Sequence, residues 1–150
     1  MISGNVLYHC AEPLMLFNWD DTENPNHQFK NIVYENNYVL FSGMSNINAP
    51  LSGFGFLSRG INMQEDSAVK NNVFLGGNSY MMGIEIYSEK YLLDYEGNIY
   101  AAFGDVPVFF SKNAPICFSP QAEAVMRDIL KDETGEYLIL QRHQWTDFDW

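Results

Sequence analysis

VFLGGNSYMMGIEIYSEKYLLDYEGNIYAAFGDVPVFF, residues Val73–Phe110, reads as a meander of strands. Short runs rich in Val, Ile, Tyr and Phe are separated by Gly76-Gly77-Asn78, Ser88-Glu89 and Glu96-Gly97-Asn98. These are the residue types that accept positive φ or hydrogen-bond their own backbone, so each is expected to be a turn between two strands. The strand runs favour a pleated, half-buried surface. A sheet is therefore the expected centre of the fold.

Working outward, Phe29–Phe41 repeats the pattern, with Glu35-Asn36-Asn37 between two apolar runs, and predicts a hairpin. Val6–Trp19 predicts two short extended pieces interrupted by Pro13, which cannot donate to a central ladder. The stretch from Ser42 to Gly60 is rich in Gly, Ser, Asn and Pro, and predicts a loop with a short strand at Gly55–Leu57. Beyond the meander, Ser119-Pro120 is a helix start. Ala122, Val125, Met126, Ile129 and Leu130 then fall on one face of a helix from Pro120 to about Lys131, with Glu123, Arg127 and Asp128 opposite. Gly135 is expected to take a left-handed conformation near its end, and Glu136–Gln141 to form a last strand. No internal repeat is evident in this reading. The expectation is one α+β domain over residues 1–150, an antiparallel, twisted sheet of about five to seven strands with one main C-terminal helix packed on it.

Composition narrows the function. A chain of 150 residues has a real core, burying roughly 70% of its extended surface. Nineteen acidic against eight basic residues give a net charge of −11. That balance opposes direct contact with nucleic acid or an anionic membrane surface and suits a basic protein partner. No window of the sequence approaches the roughly 18 apolar residues of a spanning helix, and the N-terminus MISGNVLYHC lacks a basic region followed by an apolar run, so a cytoplasmic location is expected. His9, His27 and His143 make no metal-ligand spacing, and Cys10 and Cys117 form no CxxC. No Walker lysine, GxGxxG or GxSxG occurs. Neither a metal, a cofactor nor an enzymatic activity is expected.

What remains are recognition features. Trp19 with Asp20, Asp21 and Glu23, the cluster Asp132, Glu133 and Glu136, and Trp145 with Asp147 and Asp149 combine aromatic anchors with acidic charge. These ten residues are the expected partner-binding set. The succession GGNSYMMGIEIY, YLLDYEGNIYAAF and SPQAEAVMRDIL resembles the core of the SUKH superfamily over roughly Val73 to Leu130. The resemblance implies an α+β domain acting as a bacterial immunity protein that binds and blocks a toxin, often a basic nuclease. Gly76, Gly77 and Gly97 match its structural turn positions, and the family offers no catalytic residue. Stoichiometric neutralisation of a protein partner is thus the expected function. The alternative is a small-ligand-binding module, or a phage-type inhibitor, using an aromatic sheet face and the 42–60 loop. Exposed sheet edges can also support a homodimer.

Overall fold

Four short segments have the same shape in space: Ser3-Gly4-Asn5-Val6, Glu35-Asn36-Asn37-Tyr38, Lys70-Asn71-Asn72-Val73 and Glu96-Gly97-Asn98-Ile99. In each, the second residue is left-handed, with φ of 70° at Gly4, 55° at Asn36, 53° at Asn71 and 66° at Gly97. Gly and Asn are the residues that reach this region at least cost. The chain therefore turns a corner at each segment, and it does not reverse. The computed structural model describes residues 1–8, 10, 14–17, 29–42, 54–59, 63–76, 80–84, 93–103, 107–111, 114–128 and 130–140.

The corners divide the chain into stacked coils. The first holds β1 (Ile2–Ser3), β2 (Val6–Tyr8) and β3 (Leu14–Phe17). The second holds β4 (Phe29–Lys30), β5 (Val33–Glu35), β6 (Tyr38–Ser42) and β7 (Phe54–Arg59), and the third β8 (Met63–Glu65), β9 (Ala68–Lys70), β10 (Val73–Gly76) and β11 (Tyr80–Ile84). The fourth holds β12 (Asp94–Glu96), β13 (Ile99–Phe103) and β14 (Pro107–Ser111), followed by β15 (Ala114–Phe118), α1 (Ser119–Asp128) and β16 (Glu136–Leu140). Equivalent strands of successive coils lie side by side in sequence order. Sheet A is β1-β5-β9-β12, sheet B is β2-β6-β10-β13-β16, sheet C is β3-β7-β11-β14 with β15 added, and β4 pairs with β8. Among the described residues every pairing is parallel except β14 with β15. This is a parallel β-solenoid.

The expected antiparallel α+β sheet is therefore corrected. Turn chemistry at Glu35-Asn36-Asn37 and Glu96-Gly97-Asn98 was sound, but each segment joins two different sheets, so the strands on either side of it do not pair. The true neighbours are one coil away, in register Tyr34↔Val69↔Tyr95 in sheet A and Leu7↔Val39↔Phe74↔Tyr100↔Tyr137 in sheet B. The repeat missed in the sequence is a Gly or Asn, then Asn, then an apolar residue. Its spacings of 32, 35 and 26 residues vary too much to show as a fixed period. Part of the expected 42–60 loop is strand β7, and the helix is present but is a small fraction of the chain. Gly135 is not left-handed; Lys131 is, with φ of 59°.

The interior is filled by the residues that face inward on successive rungs. Tyr34, Val69 and Tyr95 form one column and Val39, Phe74 and Tyr100 another, all buried. The Phe74 and Tyr100 rings stack with centroids 5.8 Å apart and an interplanar angle of 12°. Parallel rungs put like beside like, so aromatic stacking follows from register. At the C-terminal end α1 contacts β14, β15 and β16, and its Met126, with Leu130 beyond it, is fully buried. A solenoid needs such an end cover because its last coil has no neighbour to bury it.

Candidate functional site

The inner side of the corner between sheets A and B carries a continuous ladder of side-chain amides. Asn5 donates from its backbone N–H and Nδ2 to Asn37 Oδ1 at 3.1 and 2.9 Å. Asn37 donates the same pair to Asn72 Oδ1, both at 3.0 Å, and Asn72 to Asn98 Oδ1, both at 3.0 Å. The second Nδ2 hydrogen of each inner rung goes back to the coil before: Asn37 to Ile2 O, Asn72 to Tyr34 O, Asn98 to Val69 O. Asn37, Asn72 and Asn98 are wholly buried, so these bonds remove the cost of burying amides.

The ladder has a direction, and its last member must accept without donating. Asp132 does so. Its carboxylate receives Gly97 N–H at 2.8 Å, Asn98 N–H at 3.2 Å, Asn98 Nδ2 at 2.9 Å and the Tyr100 hydroxyl at 2.9 Å. The fit around this corner is tight. A Cβ on Gly97 would lie 2.6 Å from Asn71 Oδ1, and one on Gly135 would lie 2.7 Å from the Asp132 carboxyl carbon. Burial, reinforced by the Asp132 charge, holds the Tyr100 hydroxyl well above its ordinary pKa, and burial raises Tyr95 likewise. Asp132 was expected on a binding surface. It is instead fully buried, a structural end to the ladder.

The outward side of sheet B carries several exposed apolar side chains. One column runs Val6↔Tyr38↔Val73↔Ile99↔Glu136 and the next Tyr8↔Leu40↔Leu75↔Ala101↔Leu138, in which Ala101 is buried. Val6, Tyr8, Tyr38 and Leu138 are large apolar or aromatic side chains left in water, at 67%, 48%, 51% and 46% exposure. Across the corner lies the outward column Ser3↔Glu35↔Lys70↔Glu96 of sheet A. Lys70 Nζ meets Glu96 Oε2 at 2.7 Å. The Lys70 ammonium is held above its ordinary pKa chiefly by the hydrogen bond and charge of Glu96, with smaller help from Asp94 and Glu35.

Of the other expected binding residues, Glu133 and Glu136 are exposed, and Glu136 ends the first apolar column of sheet B. Trp19, Asp20, Asp21, Glu23, Trp145, Asp147 and Asp149 lie outside the described residues. The apolar positions of sheet B were missed because Val-Leu-Tyr, Tyr-Val-Leu, Val-Phe-Leu and Ile-Tyr-Ala are apolar at every position, which conceals the two faces. Of the aromatic side chains, Tyr34, Phe74, Tyr95 and Tyr100 fill the core, whereas Tyr8 and Tyr38 are exposed. Among the described residues no group of three or more His, Cys, Asp or Glu could hold a metal, and no helix is long and apolar enough to cross a membrane. Comparison with family models, with curated proteins and with solved structures returns no match.

Proposed function

We propose that this chain is a binding module that engages a basic protein partner across the outward face of sheet B. The observation that carries the reading is the outward side of the parallel sheet, on which Tyr8, Tyr38 and Leu138 stand exposed. Tyrosine supplies large contact area at low entropic cost, and the net charge of −11 directs encounter toward a basic surface. Occupying that surface one-to-one would neutralise the partner, as an immunity protein does to a basic nuclease toxin.

The test is capture from the native host with the wild-type chain and with the double variant Tyr38→Ser/Leu138→Ser, at low and high salt. The expected result is a single basic protein in equimolar amount, held by the wild type, weakened by salt and lost by the variant. Equal capture by the variant, or binding indifferent to salt, would rule the reading out.

A further inference from the structure

Among the described residues sheet B has five strands and sheet A four, so β16 has no companion in sheet A and the last corner of the solenoid is made from different parts. At each earlier corner the next coil supplies two acceptors. Its backbone takes the N–H of the left-handed residue: Gly4 donates to Glu35 O at 3.3 Å, Asn36 to Lys70 O at 3.1 Å and Asn71 to Glu96 O at 2.9 Å. Its Asn side chain takes the N–H and Nδ2 of the Asn that follows, both on one oxygen.

At the last corner both acceptors come from Asp132. Asn98 gives its N–H and Nδ2 to Oδ2, at 3.2 and 2.9 Å, and Gly97 gives its N–H to Oδ1 at 2.8 Å. The main chain meanwhile keeps the ordinary rung. Glu136 N–H donates to Asn98 O at 2.9 Å, as Tyr38 does to Asn5 O, Val73 to Asn37 O and Ile99 to Asn72 O, each at 2.8 Å. Gly135, the residue before Glu136, therefore stands where the other coils carry Asn. Glu133, three residues before Glu136 as Glu96 is before Ile99, turns its carbonyl oxygen to Arg127 Nη1 at 3.1 Å instead. A Cβ built on Gly135 would have as its three nearest atoms the carboxyl carbon and the two oxygens of Asp132, at 2.7, 2.8 and 2.9 Å.

We infer that Asp132 and Gly135 form a latch in which one carboxylate takes the place of a further coil. Oδ2 replaces the amide oxygen of the next Asn, Oδ1 replaces the carbonyl oxygen of the next sheet A strand, and Gly135 has no side chain so that the carboxylate can enter. A carboxylate suits both places because it offers two accepting oxygens and no donor, whereas an amide offers one oxygen and presents N–H groups beside it. The latch lets the chain leave sheet A after β12, form α1 and return to sheet B as β16 without stranding the donors of the fourth coil. No partner is involved, so the inference stands or falls separately from the proposed binding surface.

The test compares Asp132→Ala, Gly135→Asn and the double variant by urea unfolding and by amide hydrogen exchange read at single residues. Gly135 is not left-handed, so its backbone accepts Asn. Gly135→Asn alone is expected to lower the urea midpoint, because its side chain meets the Asp132 carboxylate. In the Asp132→Ala chain the same substitution is expected to raise the midpoint, because the new amide oxygen enters the vacated place; should Asp132→Ala fail to fold, a folded double variant is the same rescue. The double variant restores the acceptor of Asn98 but not that of Gly97. The ratio of Gly97 to Asn98 exchange rates is therefore expected to rise about tenfold from wild type to double variant, a ratio that a change in global stability leaves alone. A Gly135→Asn effect of the same sign in both backgrounds, a double variant that does not fold, or an unchanged ratio would each overturn the inference.

Discussion

At one end of the ladder Asn5 is exposed and turns its spare Nδ2 hydrogen back to Ser3 O at 3.1 Å. At the other Asp132 is buried and takes donors from Gly97, Asn98 and Tyr100. The same repeating amide can be left open where it is exposed. Where protein closes over it, it must be finished by a group that only accepts. The energetic weight of the ladder should therefore rise from the Asn5 end to the Asp132 end.

Asp132→Ala is the sharpest way to break that gradient. It strands four donors in a buried site and is expected to cost about 3–5 kcal/mol, read as a lowered urea midpoint with the slope retained. Asn72→Ala removes a central rung and leaves both neighbours unsatisfied, with an expected loss of about 2–3 kcal/mol. Gly97→Ala forces a Cβ into a left-handed position already crowded by Asn71, and about 1–3 kcal/mol is expected by the same measurement. Asn5→Ala should cost less than about 1 kcal/mol, because its site is exposed. Equal losses for Asn5→Ala and Asn72→Ala would show that burial does not set the weight of a rung.

The Asp132 end should also show itself in alkali. Tyr100 and Tyr95 have folded pKa values above the unfolded tyrosine value of about 10, so folding favours their neutral form. Their contribution is fully present below that unfolded value and is lost as pH rises beyond it, because the unfolded chain ionises first. Urea midpoints are expected to fall above about pH 10. Tyr100→Phe should lessen that fall, and an unaltered pH profile would contradict the assignment.

Much of this structure was legible locally. The strand runs Val73–Leu75 and Ile99–Phe103, the final strand at Glu136–Leu140, the helix beginning at Ser119, and the special backbone role of Gly97 all follow from side-chain shape and turn chemistry. Apolar residues on both faces of Val73–Leu75 also carried a hint of a parallel sheet, whose strands are covered more evenly than those of a hairpin. The candidate surface was less legible. Acidic clusters were visible as letters, whereas the exposure of Tyr38 and Leu138 is seen only once inside and outside have been assigned.

By itself, then, the sequence determined where the chain is extended, where it bends, and which residues tolerate the bend, since those are properties of a few adjacent residues. Which strands pair, which Asn lies next to which, and that Asp132 is an interior group were decided by tertiary structure. A left-handed Asn or Gly is compatible with a hairpin or with a corner. Only the hydrogen bonds to a coil 26 to 35 residues away choose between them.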